Sequence, residues 1–245
     1  MLLFGENMRT KEEVENFIFL HKMKFVYGCK ICKGKNPNCK CSIRHKIAVE
    51  AYESCIPQDF WWINDDDIDH NKDIFENTVK VYVKNINKAL NGGYGLLFIG
   101  DNGVGKTYFI SYVLMEAIKK GRSTYFTTMP DLDYNIKRGF KDQAIERRLR
   151  LMLTSDFLAI DELGKERSKS NNDYMDSQIE RIIKGRLDDN QPMLLATNMD
   201  LETLEKAYGP TVSSVLLGKF QAVMMEPGDY RARLRDRMVR EMGYE

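Results

Sequence analysis

An α/β fold, a central parallel sheet flanked by helices, is predicted by three features of the sequence. Short strand-like runs at residues 96–99, 123–128, 157–160 and 192–197, mainly apolar except for the threonine-rich second, alternate with longer stretches of helical character, the pattern of strands joined by crossover helices. The first run stops at a glycine loop and continues into an apolar helix start at residues 108–114. The third ends on two adjacent carboxylates, Asp161 and Glu162.

Gly100, four residues, and then Gly105-Lys106-Thr107 have the spacing of a P-loop. In such a loop, consecutive backbone N–H groups and a helix N-terminus surround the β- and γ-phosphates of a nucleotide. Lys106 supplies a point charge and Thr107 a ligand for Mg²⁺. Gly103 and Gly105 suit a backbone that must take positive φ close to a ligand, because neither carries a Cβ. The nucleotide-binding stretch therefore runs through Gly100, Asp101, Asn102, Gly103, Val104, Gly105, Lys106, Thr107 and Tyr108. Asp161, at the C-terminal end of its strand, is the second Mg²⁺ residue, and Glu162 is placed to polarise an attacking water. The glycine loop and the paired acids are expected side by side on adjoining strands. Asn198 ends another buried strand, where it can orient that water or sense the γ-phosphate. Arg231, at the start of a final helix that also carries Arg233, Arg235, Arg237 and Arg240, is the cation best placed to reach a nucleotide.

At 245 residues the chain has room for one good-sized core and a small appended unit, and a division into 1–68 and 69–245 is expected. Lys+Arg 37 against Asp+Glu 36 leaves a net charge of +1, so nucleic-acid binding must come from local patches. No apolar stretch approaches a membrane span and the first residues lack the layout of a signal peptide, so a cytoplasmic protein is expected. Five cysteines, four of them close together, favour a metal over disulfides in a reducing compartment.

Those four are Cys29, Cys32, Cys39 and Cys41. A Cys-x-x-Cys knuckle puts two thiolates on one turn, and a second close pair can complete a tetrahedral zinc site. His45 is an alternative fourth ligand, free cysteines in a loop are the bland reading, and Cys55 reads as a small buried residue. A helix over residues 9–27, capped by Thr10, precedes the cysteines, and another over 42–54 follows them. Of the adjacent Trp61 and Trp62, one is expected in the core and the other over a base or partner. The acidic run at residues 64–69 reads as a solvated linker.

Further along, residues 74–90 have mixed helical spacing, residues 132–141 begin a helical hairpin, and residues 173–187 form a helix. The basic segment Arg147-Arg148-Leu149-Arg150 has two readings of equal weight, a phosphate-tracking patch or a solvated helix face. Residues 201–208 read as a short helix stopped by Gly209-Pro210, and residues 219–226 as a last strand.

Taken together, the glycine loop, Tyr125-Phe126-Thr127-Thr128-Met129-Pro130-Asp131-Leu132, the run from Phe157 to Gly164, Ala196-Thr197-Asn198 and Asp229-Tyr230-Arg231 resemble the AAA+ ATPases of the DnaC/DnaI type and their IstB relatives. The resemblance covers most of residues 75–245. It implies an AAA+ P-loop domain preceded by a small zinc-binding helical domain that contacts a DnaB-type replicative helicase. It also implies ATP, Mg²⁺ and Zn²⁺ as cofactors, single-stranded DNA on the hairpin at 131–143, and self-assembly with ATP. Asn198 takes the sensor 1 position and Arg231 the sensor 2 position. One departure stands out: a Ser-Arg-Leu arginine finger is usual, and here the Ser falls on Ser214 and the finger position on Val215. The finger's absence implies slow or partner-dependent hydrolysis unless another cation such as Lys219 substitutes. A transposition regulator of the IstB type and an ATP-gated adaptor with little turnover are the competing functions.

Overall fold

The computed structural model describes residues 11–63, 65, 68, 70–139, 143–165, 173–228, 235, 239 and 242. The chain opens with α1 (Lys11–His21), a π-helical stretch (Lys22–Tyr27) and α2 (Lys40–Glu53). Three short helices, α3 (Lys72–Ile74), α4 (Lys80–Lys84) and α5 (Ile86–Gly92), lead to β1 (Gly95–Ile99) and α6 (Lys106–Lys119). Then come β2 (Thr124–Thr128), α7 (Met129–Gly139), α8 (Gln143–Thr154), β3 (Phe157–Leu163), α9 (Asp173–Asp188), β4 (Met193–Thr197), α10 (Leu201–Lys219) and β5 (Phe220–Met224).

The five strands form one parallel sheet in the order β2-β3-β4-β1-β5. Parallel neighbours cannot be joined by hairpins, so every connection is a helical crossover and both faces are covered. β1 shows the consequence in its sequence. Leu96 and Phe98 pack with Phe109, Val113 and Phe75 on one face, while Leu97 and Ile99 pack with Met129, Leu132 and Leu216 on the other. With no solvated face there is no polar alternation, which is why the strand reads as an unbroken apolar run.

The N-terminal helices share this core. Ala48, Ala51, Tyr52, Ile56 and Trp61 belong to the same cluster as α6. The segment after α2 also covers the sheet's edge: Phe126 N–H donates to Ser54 O (2.8 Å), and Thr124 Oγ1 donates to Ser54 Oγ (3.0 Å). An edge capped in this way offers fewer unpaired groups to another chain. Of the two tryptophans, Trp61 is buried and donates through Nε1 to Ile56 O (2.9 Å), whereas Trp62 is exposed beneath the Arg44 guanidinium.

Two helical expectations need correcting. The helix expected over 9–27 is described from Lys11 and changes to π geometry at Lys22, and the expected cap Thr10 lies outside the described residues. The stretch at 74–90 is broken by a π-turn at Phe75–Val79 and a cap at Asn85. The stop expected at Gly209 is present: with φ 79° and ψ 165° it ends the helix that starts at Leu201, and a second helix runs on from the kink to Lys219, the two together being α10.

Arg186, on α9, is 2% exposed. Its Nη1 donates to Met152 O (3.2 Å) and Leu153 O (2.8 Å), and its Nη2 donates to Ser155 O (2.9 Å) and Pro192 O (3.2 Å). It thereby caps the last carbonyls of α8 and joins the entrances of β3 and β4. Burial lowers its pKa to about 10, still a cation at neutral pH. Removing it strands several buried acceptors, so Arg186→Ala is expected to cost about 3 kcal/mol or more of unfolding free energy. Urea denaturation measures this, and an unchanged midpoint would contradict the capping role.

Candidate functional site

The glycine loop leaves β1 at Ile99, and α6 starts at Lys106. Gly103 (φ 86°) and Gly105 (φ 101°) have the left-handed backbone expected of them. No atom lies within 4 Å of where a Gly105 Cβ would stand, so the backbone angle, not crowding, demands glycine there. Lys106 is buried against its own loop: Nζ donates to Gly100 O (2.7 Å), Asp101 O (2.6 Å) and Asn198 Oδ1 (2.6 Å). Asn198 in turn donates through Nδ2 to Asn102 Oδ1 (2.9 Å). Thr107 Oγ1 donates to Asp161 Oδ2 (2.6 Å), and the other carboxylate oxygen accepts the Glu162 N–H (2.7 Å). Burial raises the Asp161 pKa, and the bond from Thr107 opposes that rise.

These contacts correct the expectation of adjoining strands. β4 lies between β1 and β3, and Asn198 at its end stands between the glycine loop and the acids. The first turn of α6 still reaches across β4, because Thr107 bonds Asp161 two strands away. The loop, Asn198 and the acidic pair therefore meet at one end of the sheet, over its middle strand.

Glu162 has φ 60°, in the left-handed region, and sits in a β-bulge: Ile160 pairs with Leu195 and Leu163 with Thr197, so two residues oppose one. Such a non-glycine conformation costs on the order of 1–3 kcal/mol and is found where a side chain must be re-aimed. The Glu162 carboxylate is engaged by Lys165.

Two contributors had no clear signal in the sequence. Asn71 (φ 56°, buried) donates through Nδ2 to Val104 O (3.2 Å) and accepts the Glu226 N–H (2.8 Å). His70 Nε2 lies 3.2 Å from Glu226 O. These neighbours of the acidic run tie the glycine loop to the segment after β5. An asparagine ahead of a helix reads as a cap, yet this side chain makes no capping bond.

Other expected residues are placed differently. Arg231, with Arg233, Arg237 and Arg240, lies outside the described residues, as does the Val215 side chain; Ser214 is exposed. Lys219 is not a spare cation, because it donates to Leu187 O (2.9 Å) and Asn190 Oδ1 (2.8 Å) at the end of α9. On the hairpin, Lys137 pairs with Asp133 (2.7 Å) and Arg150 with Glu146 (2.9 Å), while Arg138 lies over Tyr134; the side chains of Arg147 and Arg148 are outside the described set.

The sulfur atoms of Cys29, Cys32, Cys39 and Cys41 all lie within 4.8 Å of one another, and none is in a disulfide. Turn hydrogen bonds build the pocket, with Lys33 N–H donating to Cys29 O and Ser42 N–H to Cys39 O. Tetrahedral zinc with Zn–S near 2.3 Å needs sulfurs about 3.8 Å apart, so the set fits that ion. Backbone N–H groups of Cys32 and Ile31 lower Cys29 to about 6, while burial and then its neighbours' sulfurs push Cys41 up to about 12. A divalent cation would relieve that conflict by drawing all four toward thiolate. His45 is not needed as a ligand: its Nδ1 is 2.9 Å from His21 Nδ1. Cys55 stands apart, near the Tyr125 hydroxyl.

With this geometry in hand, comparison with known proteins is informative. The family model described as IstB-like ATP binding protein matches residues 83–234. The chain is 30% identical over 117 residues to the putative ATP-binding protein of insertion sequence IS5376 from Geobacillus stearothermophilus, covering 48% of this chain and 45% of that one. It is 26% identical over 127 residues to the replicative helicase loader DnaI of Bacillus subtilis (strain 168), covering 52% and 40%. Each match thus spans less than half of the relative's length. Among solved structures, the DnaC helicase loader superposes with a TM-score of 0.61 at 25% identity, covering 69% of this chain and 100% of that one. DnaI gives 0.59 at 20% identity, covering 69% and 94%, a likeness of fold.

Two outcomes follow from the geometry. Lys106→Ala should weaken ATP binding by about 100-fold, the loss of a charge-assisted contact, as measured by calorimetry; unchanged affinity would contradict the site. Cys29→Ser/Cys32→Ser should abolish stoichiometric zinc in metal analysis while ATP binding persists, and wild-type protein purified without zinc would contradict the cluster's assignment.

Proposed function

Because the chain belongs to the IstB-like ATP-binding protein family, we propose that it is an AAA+ ATPase that loads a DnaB-type replicative helicase onto single-stranded DNA. The observation that carries the ATP-dependent part is the continuous network from Asn102 through Asn198 to Lys106, alongside Thr107 and Asp161. In this reading residues 69–245 form the ATPase, and residues 1–68 form the zinc-bearing unit that engages the helicase.

Lys106 exchanges its two loop carbonyls for the β- and γ-phosphates, and Asn198 moves with it because the two share a hydrogen bond. The Thr107 hydroxyl and the Asp161 carboxylate, already 2.6 Å apart, are the pair that would hold Mg²⁺. That ion supplies charge neutralisation on the phosphate oxygens. Glu162 polarises water once its carboxylate leaves Lys165. Arg231 completes the nucleotide contact from the C-terminal segment. Val215 at the finger position and the engagement of Lys219 both favour slow, partner-dependent turnover, with ATP acting largely as an assembly ligand.

Loading is favoured over transposition by the four-cysteine unit and by the similarity to the DnaC loader, which extends over that whole structure. The relationship to insertion-sequence ATP-binding proteins supports the second reading, a regulator that assembles on duplex DNA with ATP and recruits a transposase. Affinity capture with the replicative helicase encoded in the same genome separates them. The loader binds it in an ATP-dependent way, whereas capture of a neighbouring transposase in its place would overturn the assignment. Phosphate release stimulated by single-stranded DNA and helicase, and lost in Glu162→Gln, is expected of the ATPase; no release under any condition would leave a pure adaptor.

A further inference from the structure

The chain's near-zero net charge hides a strong local asymmetry. Residues 16–49 contain eight of the 37 lysines and arginines and none of the 36 acidic residues, so the remainder carries a net charge of −7. All eight cations, Lys22, Lys24, Lys30, Lys33, Lys35, Lys40, Arg44 and Lys46, are exposed. Among the described residues only Lys46 has a carboxylate partner, Glu50 at 3.8 Å. Eight cations on this 34-residue stretch, with Lys46 alone among them paired to a carboxylate in the described residues, make a local positive field.

The cations are interleaved with exposed rings. Lys22 lies over the Tyr27 ring (5.6 Å), Lys24 over Phe25 (5.2 Å) and Arg44 over Trp62 (4.3 Å). Tyr27 is 51% exposed and Phe25 46%. The stacked pair of His21 and His45 gathers these groups: Phe25 packs on His21 (4.3 Å), and Lys22, Lys24 and Arg44 all bear on the two imidazoles electrostatically. Burial is the first cause of the lowered imidazole pKa values and these cations add to it, with no carboxylate among the causes. The site therefore has converging positive charge, half-exposed aromatic rings and no carboxylate within residues 16–49, and its eight cations outweigh the net −2 of a four-thiolate zinc centre.

The exposed Phe19, Leu20, Met23, Ile31 and Ile43 of the same stretch suit a protein partner, but lysine is disfavoured at the centre of such an interface, so the lysines and Arg44 call for a different occupant. A single strand needs what is present here, cations for its phosphates and flat rings for its unstacked bases. We infer that the cysteine-bearing N-terminal unit is itself a single-stranded nucleic-acid-binding surface, with Lys22, Lys24 and Arg44 on the phosphates and Phe25 and Tyr27 stacking on bases. This contact goes beyond the proposed function, in which DNA meets the ATPase hairpin and the N-terminal unit meets the helicase. It holds or fails whichever partner is captured.

The test is anisotropy of a labelled oligothymidylate titrated with the full chain at several salt concentrations without nucleotide, with ATP affinity and zinc content measured in parallel. Lys22→Ala/Lys24→Ala/Arg44→Ala should weaken binding at least tenfold and lower the slope of log affinity against log salt by about 2, since each phosphate contact on a single strand contributes about 0.7. Phe25→Ala/Tyr27→Ala should weaken binding by about tenfold or more while leaving that slope unchanged. Both variants should keep wild-type ATP affinity and zinc. Wild-type DNA affinity in the two variants would overturn the inference. So would an equal loss on duplex and single-stranded DNA, or intact DNA binding with lost binding to a polyglutamate peptide, which would reassign the surface to an acidic protein.

Discussion

The bond between Thr107 and Asp161 is the contact on which the rest of the site depends. It joins the first turn of α6 to a strand two places away, so it exists only if the loop leaves β1 in the right direction and β3 ends at the right height. The left-handed angles of Gly103 and Gly105 meet the first condition, and the bulge at Asp161-Glu162 meets the second. The glycines take those angles at no steric cost, whereas the bulge, with Glu162 at φ 60°, is unfavourable locally and is held by a sheet buried on both faces. A packed core of this kind does not deform continuously, so the strain is retained at the site and does not relax into the surroundings.

Under the proposed function, Asn198 makes this junction a sensing site as well as a binding one. It stands on the strand between loop and acids and touches both Lys106 and Asn102. Whatever displaces the lysine ammonium also disturbs the end of β4, and β4 continues into the broken helix α10. In that reading, nucleotide occupancy has a physical route to the C-terminal half of the domain. Asn71, bonded to both Val104 and the Glu226 backbone, gives the loop a second mechanical tie, to the segment after β5.

Much of this was legible in the sequence, for reasons that can be stated residue by residue. Buried parallel strands read as apolar runs because both faces are covered, and the P-loop reads from spacing because its chemistry fixes the distance between Gly100 and Lys106. Asp161 and Glu162 were identifiable as a pair, but their relation to the loop was not, since sequence order carries no information that β4 inserts between β1 and β3. Asn71 was hidden because its role depends on partners 33 and 155 residues away. Arg186 carries no signal in the sequence and Lys219 reads there as a candidate substitute for the finger, and only the tertiary structure shows their side chains spent on carbonyl groups. The four cysteines were legible as a set, while the positive field around them was masked by acidic residues elsewhere in the chain.

The most direct test is a structure with Mg²⁺ and a non-hydrolysable ATP analogue. The account predicts the phosphates against the backbone of residues 100–107, the metal between Thr107 Oγ1 and Asp161, and the Lys106 ammonium released from the Gly100 and Asp101 carbonyls toward them. Nucleotide bound elsewhere on the chain, with Lys106 still fastened to those carbonyls and Thr107 still closed on Asp161, would contradict it.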